Sequence, residues 1–432
     1  MNANEQKRAE LVKGLNAPTA GERLENLKIL LKFEEENGMQ PVRRENDANN
    51  HIHTIYSFSP YSPTAAAYAA YSAGLTSCGI MDHDSLSGDA EFSEACKTLG
   101  MGYTCGVEVR AKFNARHWGK INHPDQEDCI YMAAHGVPEQ NRAAFNEYLA
   151  GYRAKRELRD RKMTELINGK FGKFGINIDF EKDVYDASCA AEGGSITERH
   201  LMSALAKKLE ERFGRTQALI DFIEKDLELK VGDKQKGYLT DAENPCFNYD
   251  LLGVLKADTK FFYIDADEEM PDVKEFVKKA TEFGAIPAYA YLGDVGDSVT
   301  GDKRAQKFED DFLDELIAEI KAVGIKAVAY MPTRNTEAQL DRLRALCAKY
   351  GLFEISGEDI NSPRQRFECK ALANPRYANL IDSTWALIGH ERAAENGVEN
   401  GMFAEKAVEK YPDLKERIAA FAEIGRASVI KK

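Results

Sequence analysis

The sequence predicts an α/β fold: a (β/α) barrel of about seven strands, with a helical insertion and an N-terminal helical leader. Three observations carry this reading. Short apolar runs alternate with helical stretches at the spacing of βαβ units. The alternation stops between about residues 137 and 255, where long Lys/Arg/Glu-rich helical patterns take over. The histidines and acids that end the apolar runs stand at strand C-termini, where α/β barrels keep their chemistry.

Within residues 1–45, Leu11, Leu15, Leu24, Leu27, Leu30 and Leu31 recur near helical spacing, with charges between them. The first strand-like run ends in Asn50-His51-Ile52-His53. Ser62-Pro63 then caps a helix over Thr64–Ala73, with proline in the first turn where it is tolerated. The run Leu75–Met81 leads into Asp82-His83-Asp84 and a helix around Ala90–Thr98. Tyr103–Val109, which carries Glu108, and Cys129–Ala134 follow. The interruption predicts helices over Asn141–Asn168, Glu198–Phe213 and Thr216–Leu229, and leaves Lys230–Tyr249 as polar, turn-rich chain. The alternation resumes with Ala285–Tyr291, a charged helix Lys303–Val323, the run Ile325–Tyr330, a helix Glu337–Tyr350 and the run Leu352–Ile355. The expected organisation is a leader (1–45), a first barrel part (46–136), a helical cap over the barrel mouth (137–255), and a second barrel part with C-terminal helices (256–432).

The chain has 432 residues, enough for a large domain with an insertion. Its net charge of −13 argues against a long nucleic acid as partner, since such surfaces carry a basic patch. A nucleotide or a phosphorylated small molecule stays open, because metal ions supply local positive charge. No two of the eight cysteines are spaced Cys-x-x-Cys, and several fall inside apolar runs, which reads as reduced core thiols. The first residues are polar and no stretch nears the roughly 18 apolar residues of a membrane span, so a cytoplasmic protein with no membrane partner is expected.

Alternate residues of a strand share a face, so His51 and His53 point the same way. Joined by His83 and Glu108 from neighbouring strand ends, they make a divalent-metal site. Glu108, closing an otherwise apolar strand, needs a positive partner, which a metal provides.

These residues resemble the polymerase and histidinol phosphatase (PHP) family. His51-Ile52-His53-Thr54, Met81-Asp82-His83-Asp84 and Gly106-Val107-Glu108 match its first motifs in order and spacing. Ser356-Gly357-Glu358-Asp359-Ile360-Asn361 resembles its late Gly-Ser-Asp-x-His segment. The likeness covers about residues 46–135 and 255–365 and is nearest to the nucleotide-phosphatase branch, which carries a helical insertion at this place. It implies a distorted seven-stranded barrel and a metal-dependent phosphoesterase. A first ion would take His51, His53, Glu108 and Asp359. A second would take His83 and, through a carbonyl oxygen, Asn361, with Phe58 standing where the family has a ligand. Tyr131 and Tyr291 occupy places of two histidines of a third site, and Tyr291 is expected to fill that space. The resemblance therefore implies Mn, Zn or Fe, one ion tight and a second weaker. Further candidate ligands are Asp82 and His135. Thr197-Glu198-Arg199-His200, after Gly193-Gly194-Ser195, resembles an Arg-Pro-His segment that opens an insertion helix. It assigns Arg199 and His200 to the substrate phosphate, with Arg110 and Arg334 as lesser contacts. His83 would hold the second ion or act as general acid or base, and Glu108 would bridge. The substitutions keep a rival open, a degenerate member that binds metal or ligand without catalysis. Amide hydrolysis is a third possibility for such a site. His117, His123 and His390, in polar segments, are expected in solvent, and the oligomeric state is left open.

Overall fold

A computed structural model describes residues 2–44, 46–114, 116–296 and 306–429. One seven-stranded sheet runs in chain order: β1 (Asn49–Ile52), β2 (Ser77–His83), β3 (Gly102–Lys112), β4 (Cys129–His135), β5 (Ile286–Tyr291), β6 (Ala327–Tyr330) and β7 (Phe353–Ser356). It curls into a half-barrel whose edges meet just past β7. There Ile52 bridges Ile360, His53 N–H donates to the Ile360 carbonyl at 2.9 Å, and Ile360 N–H donates to the His51 carbonyl at 3.0 Å. Each of the seven apolar runs becomes a strand, and the helices are α1 (Ala3–Lys13), α2 (Ala20–Glu36), α3 (Pro63–Ser72), α4 (Asp89–Leu99), α5 (Glu139–Phe171), α6 (Glu198–Phe213), α7 (Gln217–Lys225), α8 (Asp233–Thr240), α9 (Phe247–Leu255), α10 (Val273–Glu282), α11 (Leu313–Ala322), α12 (Glu337–Tyr350), α13 (Ala378–Ala394), α14 (Glu405–Lys410) and α15 (Leu414–Ala427).

Three expectations are corrected. The strands are not all parallel: β4 pairs antiparallel with both β3 and β5. Among the described residues the chain between β3 and β4 carries no helix, so it returns as a loop, and a loop suffices only for an antiparallel partner. Lys230–Tyr249 is not plain turn: α8 forms there, opened by Gly232, whose N–H meets the Gln235 side chain at 2.9 Å, and anchored by the buried Leu239. The helix expected over Lys303–Val323 is shorter. Residues 303–305 lie outside the described residues, and after a single turn at Asp310–Phe312 the α-helix starts at Leu313.

Four larger apolar clusters among the described residues hold these parts, with a small fifth at Cys129, Ala266 and Met270. Val107, Val109, Met132, Tyr289 and Val328 pack one face of the sheet against Phe145, Phe276, Leu316 and Leu343 of α5 and α10–α12. The opposite face, at Ala288, Ala327, Phe353 and Ile355, meets Leu387 of α13 and Phe421 of α15. Leu27 and Leu30 of α2 pack with α3 and α4 against β2. The C-terminal half of α5 and helices α6–α9 share their own cluster, including Leu201, Leu205, Ile220, Ile223 and Leu251. All eight cysteines are free and six are buried. Among the described residues no helix is long and apolar enough to cross a membrane.

Candidate metal centre

His51 Nε2, His53 Nε2 and Glu108 Oε2 face one another at the mouth of the half-barrel, 3.2 Å between the nitrogens and 3.6 and 3.7 Å from each to the carboxylate. They are the group among the described residues whose donor atoms all fall within 4.8 Å. Donors in tetrahedral contact with an ion at the usual zinc distances stand roughly 3.3–3.6 Å apart. The spacing fits a divalent ion.

The local sequence builds this arrangement. The register sets His83 beside Glu108, so two polar side chains leave adjacent strands at one level, 3.1 Å from His83 Nδ1 to Glu108 Oε2. Gly357 lets the chain after β7 pass over β1, because a Cβ there would come within 2.8 Å of the His51 backbone nitrogen and Cβ. Asp82 lies buried behind the histidines. It accepts from Thr54 N–H at 2.7 Å, from the Thr54 hydroxyl at 2.6 Å and from the Ser57 hydroxyl at 2.6 Å. With its own proton given to Asp82, Ser57 Oγ is left to accept from His53 Nδ1 at 3.2 Å. His53 then carries its proton on Nδ1 and turns the Nε2 lone pair toward His51. Two imidazole nitrogens and a carboxylate this close suit a shared cation. Burial works against a charge on His51, yet Glu108 and Asp359 outweigh it and raise its pKa. His83 is held well below its usual range by burial and by the neighbouring His53 and Arg156.

The remaining site residues fall in different places. Asp359 Oδ1 is 3.3 Å from His53 Nε2, at the edge of the cluster and outside its 4.8 Å group. Burial opposes its charge, but His53, His51 and Arg199 hold its pKa well below the usual carboxylate range. Asn361 turns its amide N–H to Asp359 Oδ1 at 2.7 Å, so it orients that carboxylate. Asp82 has its oxygens engaged by Thr54 and Ser57 and anchors both residues. The Tyr291 hydroxyl donates to Asp310 at 2.7 Å, away from the imidazoles. Tyr131 stacks on His123, ring centroids 4.9 Å apart, and burial pushes its hydroxyl pKa up. His135 is buried at the end of β4, with both ring nitrogens unpartnered.

A cavity of about 430 Å³ opens from the cluster, lined by His83, Glu108 and Asp359 on one side and by Arg199, Lys256 and Arg334 among others. Its wall is tied down by buried ion pairs. Glu198 meets Arg110 at 2.9 Å and Arg156 at 3.2 Å and also pairs with Arg159, while Glu269 meets Arg159 at 2.5 Å and also pairs with Arg110. Arg110 is thus committed to carboxylates. Arg199 is the reverse: its Nε is buried without a partner, and one Nη reaches only the Asn361 carbonyl at 3.5 Å. Burial lowers the pKa of Arg199 and of Lys256.

The expectation that Arg199 and His200 both reach this cavity holds in position only for Arg199. His200 points the other way, into a separate cavity beside Phe58, and its Nδ1 accepts the Thr197 N–H at 3.0 Å. It caps the helix it opens, because successive residues of a first turn diverge by about 100°. Phe58 holds a backbone φ of +93°, a strained conformation for a bulky side chain, and its ring lies under Arg199 and against His200. Sequence reasoning missed two residues. His123, expected in solvent, is buried at the cavity wall, its Nδ1 accepting from the Asp125 and Gln126 N–H groups. Lys256 follows α9 directly and gave no signal beyond its charge. His390, also expected in solvent, is buried in α13 between Gly284 and Met402. His117 is exposed as expected.

No protein-family model matches the sequence, and no curated protein matches it. Several solved structures are similar, two of which follow. One is a protein of Bifidobacterium adolescentis provisionally assigned as a metal-dependent phosphoesterase, 19% identical over 77% of this chain and 95% of that one, with a TM-score of 0.49. The other is an amidohydrolase of Chromobacterium violaceum with bound sulfate and no metal, 18% identical over 78% of this chain and 96% of that one, with a TM-score of 0.48.

Proposed function

We propose that this chain is a metal-dependent phosphoesterase of the PHP type, acting on a phosphorylated small molecule or a nucleotide. The observation that carries the reading is the convergence of His51, His53 and Glu108 at one end of a cavity whose other walls carry Arg199, Lys256 and Arg334. His51, His53 and Glu108, with Asp359 beside them, would hold the first ion. Glu108 also stands beside His83, so a second, weaker ion there would share it. A bound divalent ion supplies a Lewis acid and a water of lowered pKa. Arg199 faces the substrate anion with a guanidinium that protein acceptors leave largely unmet. Held neutral by burial, His83 can take up a proton near the reacting water. The helices of residues 137–255 act as a cap that brings Arg199 over the mouth and keeps water out.

The test is phosphate release from a panel of phosphomonoesters and nucleotides, with Mn²⁺ and with chelator. Turnover that needs Mn²⁺ is expected. Arg199→Ala should raise KM about tenfold while metal content stays unchanged, because it meets the anion and not the ion. A second reading, a degenerate relative that binds without turnover, is favoured by Phe58 and Asn361, since a phenyl ring offers no lone pair and the amide serves Asp359. A full equivalent of bound metal with no turnover across the panel would decide for it.

A further inference from the structure

His51 and His53 turn the same nitrogen to the metal centre, but only His53 has a protein group behind its other one. Ser57 meets His53 Nδ1, whereas the hydrogen bonds of the described residues bring nothing to His51 Nδ1. Metal-bound imidazoles almost always donate their second N–H to a carboxylate, a carbonyl or a water, and that partner fixes the tautomer and the ring.

His51 also lines a second, smaller cavity of about 50 Å³, which shares Glu108 and Asp359 with the large one. Asn50, His135 and Ser356 belong to its lining, and each has a buried polar atom without a partner: Asn50 Oδ1, Ser356 Oγ and both nitrogens of His135. His135 is 1% exposed. An apolar chamber would stay dry, but this one is polar, and a water needs only roughly 10–15 Å³ of such volume. The space admits a short chain of waters, with enough polar partners to hold it. His135 is not among the three residues whose donor atoms all lie within 4.8 Å of one another. It reaches the chamber because β4 runs antiparallel. Its register sets Ala133 beside Glu108, so His135 projects from the same face two residues further along.

We infer that His135 is a positioning residue: it anchors buried water beneath the metal centre, and one such water accepts the Nδ1–H of His51 and aims its Nε2 at the ion. The inference rests on the metal-centre reading. It makes His135 the counterpart of the Ser57–Asp82 pair behind His53, built from water where the other is built from side chains.

The test uses the full chain, titrated with Co²⁺ by calorimetry and loaded with Zn²⁺ for ¹⁵N-imidazole spectra. His135→Phe fills the chamber. It should weaken Co²⁺ binding about 10–100-fold, the usual cost of losing such a partner, and remove the slowly exchanging Nδ1–H signal of His51. His135→Gln keeps a donor and an acceptor and should restore most of the affinity. If His135→Phe fails to fold, Ser356→Val fills the same chamber and should reproduce the loss. Wild-type affinity and an unchanged His51 signal in the filled variants would overturn the inference and leave the metal centre standing. A Co²⁺ spectrum showing one nitrogen ligand fewer in His135→Gln would overturn it too, by making His135 a ligand. Wild-type protein that binds no Co²⁺ would overturn the metal reading itself, and this inference with it.

Discussion

Two regions of this molecule bury histidines, and they treat them in opposite ways. At the barrel mouth, His51, His53 and His83 face one another and one carboxylate, with ring nitrogens 3.2 Å apart and no backbone partner for the facing atoms. In α13 and in the first turn of α6, His390 and His200 have backbone partners. His390 Nε2–H donates to the Gly284 carbonyl at 2.9 Å and its Nδ1 accepts from Met402 N–H at 2.9 Å, while His200 caps Thr197. Backbone partners suit a neutral ring. Converging nitrogens and a carboxylate suit a cation. The difference separates a histidine placed for chemistry from one placed for packing.

The largest expected effect tests the mouth. His51→Ala removes one of three convergent donors and should abolish tight metal binding, with metal per chain read by elemental analysis after desalting. Asp359→Ala should weaken binding less, because its carboxylate lies at the edge of the group. Equal losses from both would mean that four donors converge when the ion binds, and full metal content in His51→Ala would break the comparison outright.

The mouth was legible in the sequence for a physical reason. His51, His53, His83 and Glu108 end apolar strands, and strand periodicity alone puts them on one face at one level. Asp359 was legible only through resemblance, because a turn after Gly357-Glu358 has no periodicity to fix its direction. His390 and His123 were misread. Both lie in polar stretches whose burial is decided by what packs over them: His390 is covered by Gly136, whose Cβ, if present, would come within 2.8 Å of its ring. The reversal of β4 was hidden as well, since strand direction depends on the path of the connection and not on the pattern of the run. The same reversal sends His135 into the small chamber.

The packing histidines predict an acid effect of intermediate size. Burial holds His390 down to about 4 and His200 down to about 3, against 6.5 for a free imidazole. The unfolded chain therefore binds more protons than the folded one below pH 6.5. Stability is fully present above 6.5 and is lost as pH falls toward 4, at about 1.4 kcal/mol per pH unit for each ring. His390→Gln can still donate to Gly284 and accept from Met402, but it does not titrate. Urea midpoints between pH 7 and 4.5 should fall less steeply in this variant, while its metal content stays that of the wild type. An unchanged slope would show that protonation of His390 does not drive the acid loss of stability.

The smallest effect belongs to Tyr291, which borders the small chamber but turns its hydroxyl to Asp310 at 2.7 Å. Burial and that carboxylate raise its pKa far beyond physiological pH, so it is a neutral donor and not a phenolate ligand. Tyr291→Phe deletes one hydrogen bond and leaves Asp310 with other donors, the N–H of Asp294 at 2.9 Å and the Gln339 amide at 2.6 Å. The cost should be about 1 kcal/mol of stability, seen as a small drop in Tm, with Co²⁺ affinity unaltered. This sharpens the comparison from the other side of the sheet, for a residue at a strand end is part of the metal centre only where its polar atom faces the cluster. A fall in Co²⁺ affinity as large as that of a ligand variant would place Tyr291 in the centre and redraw its boundary across β5.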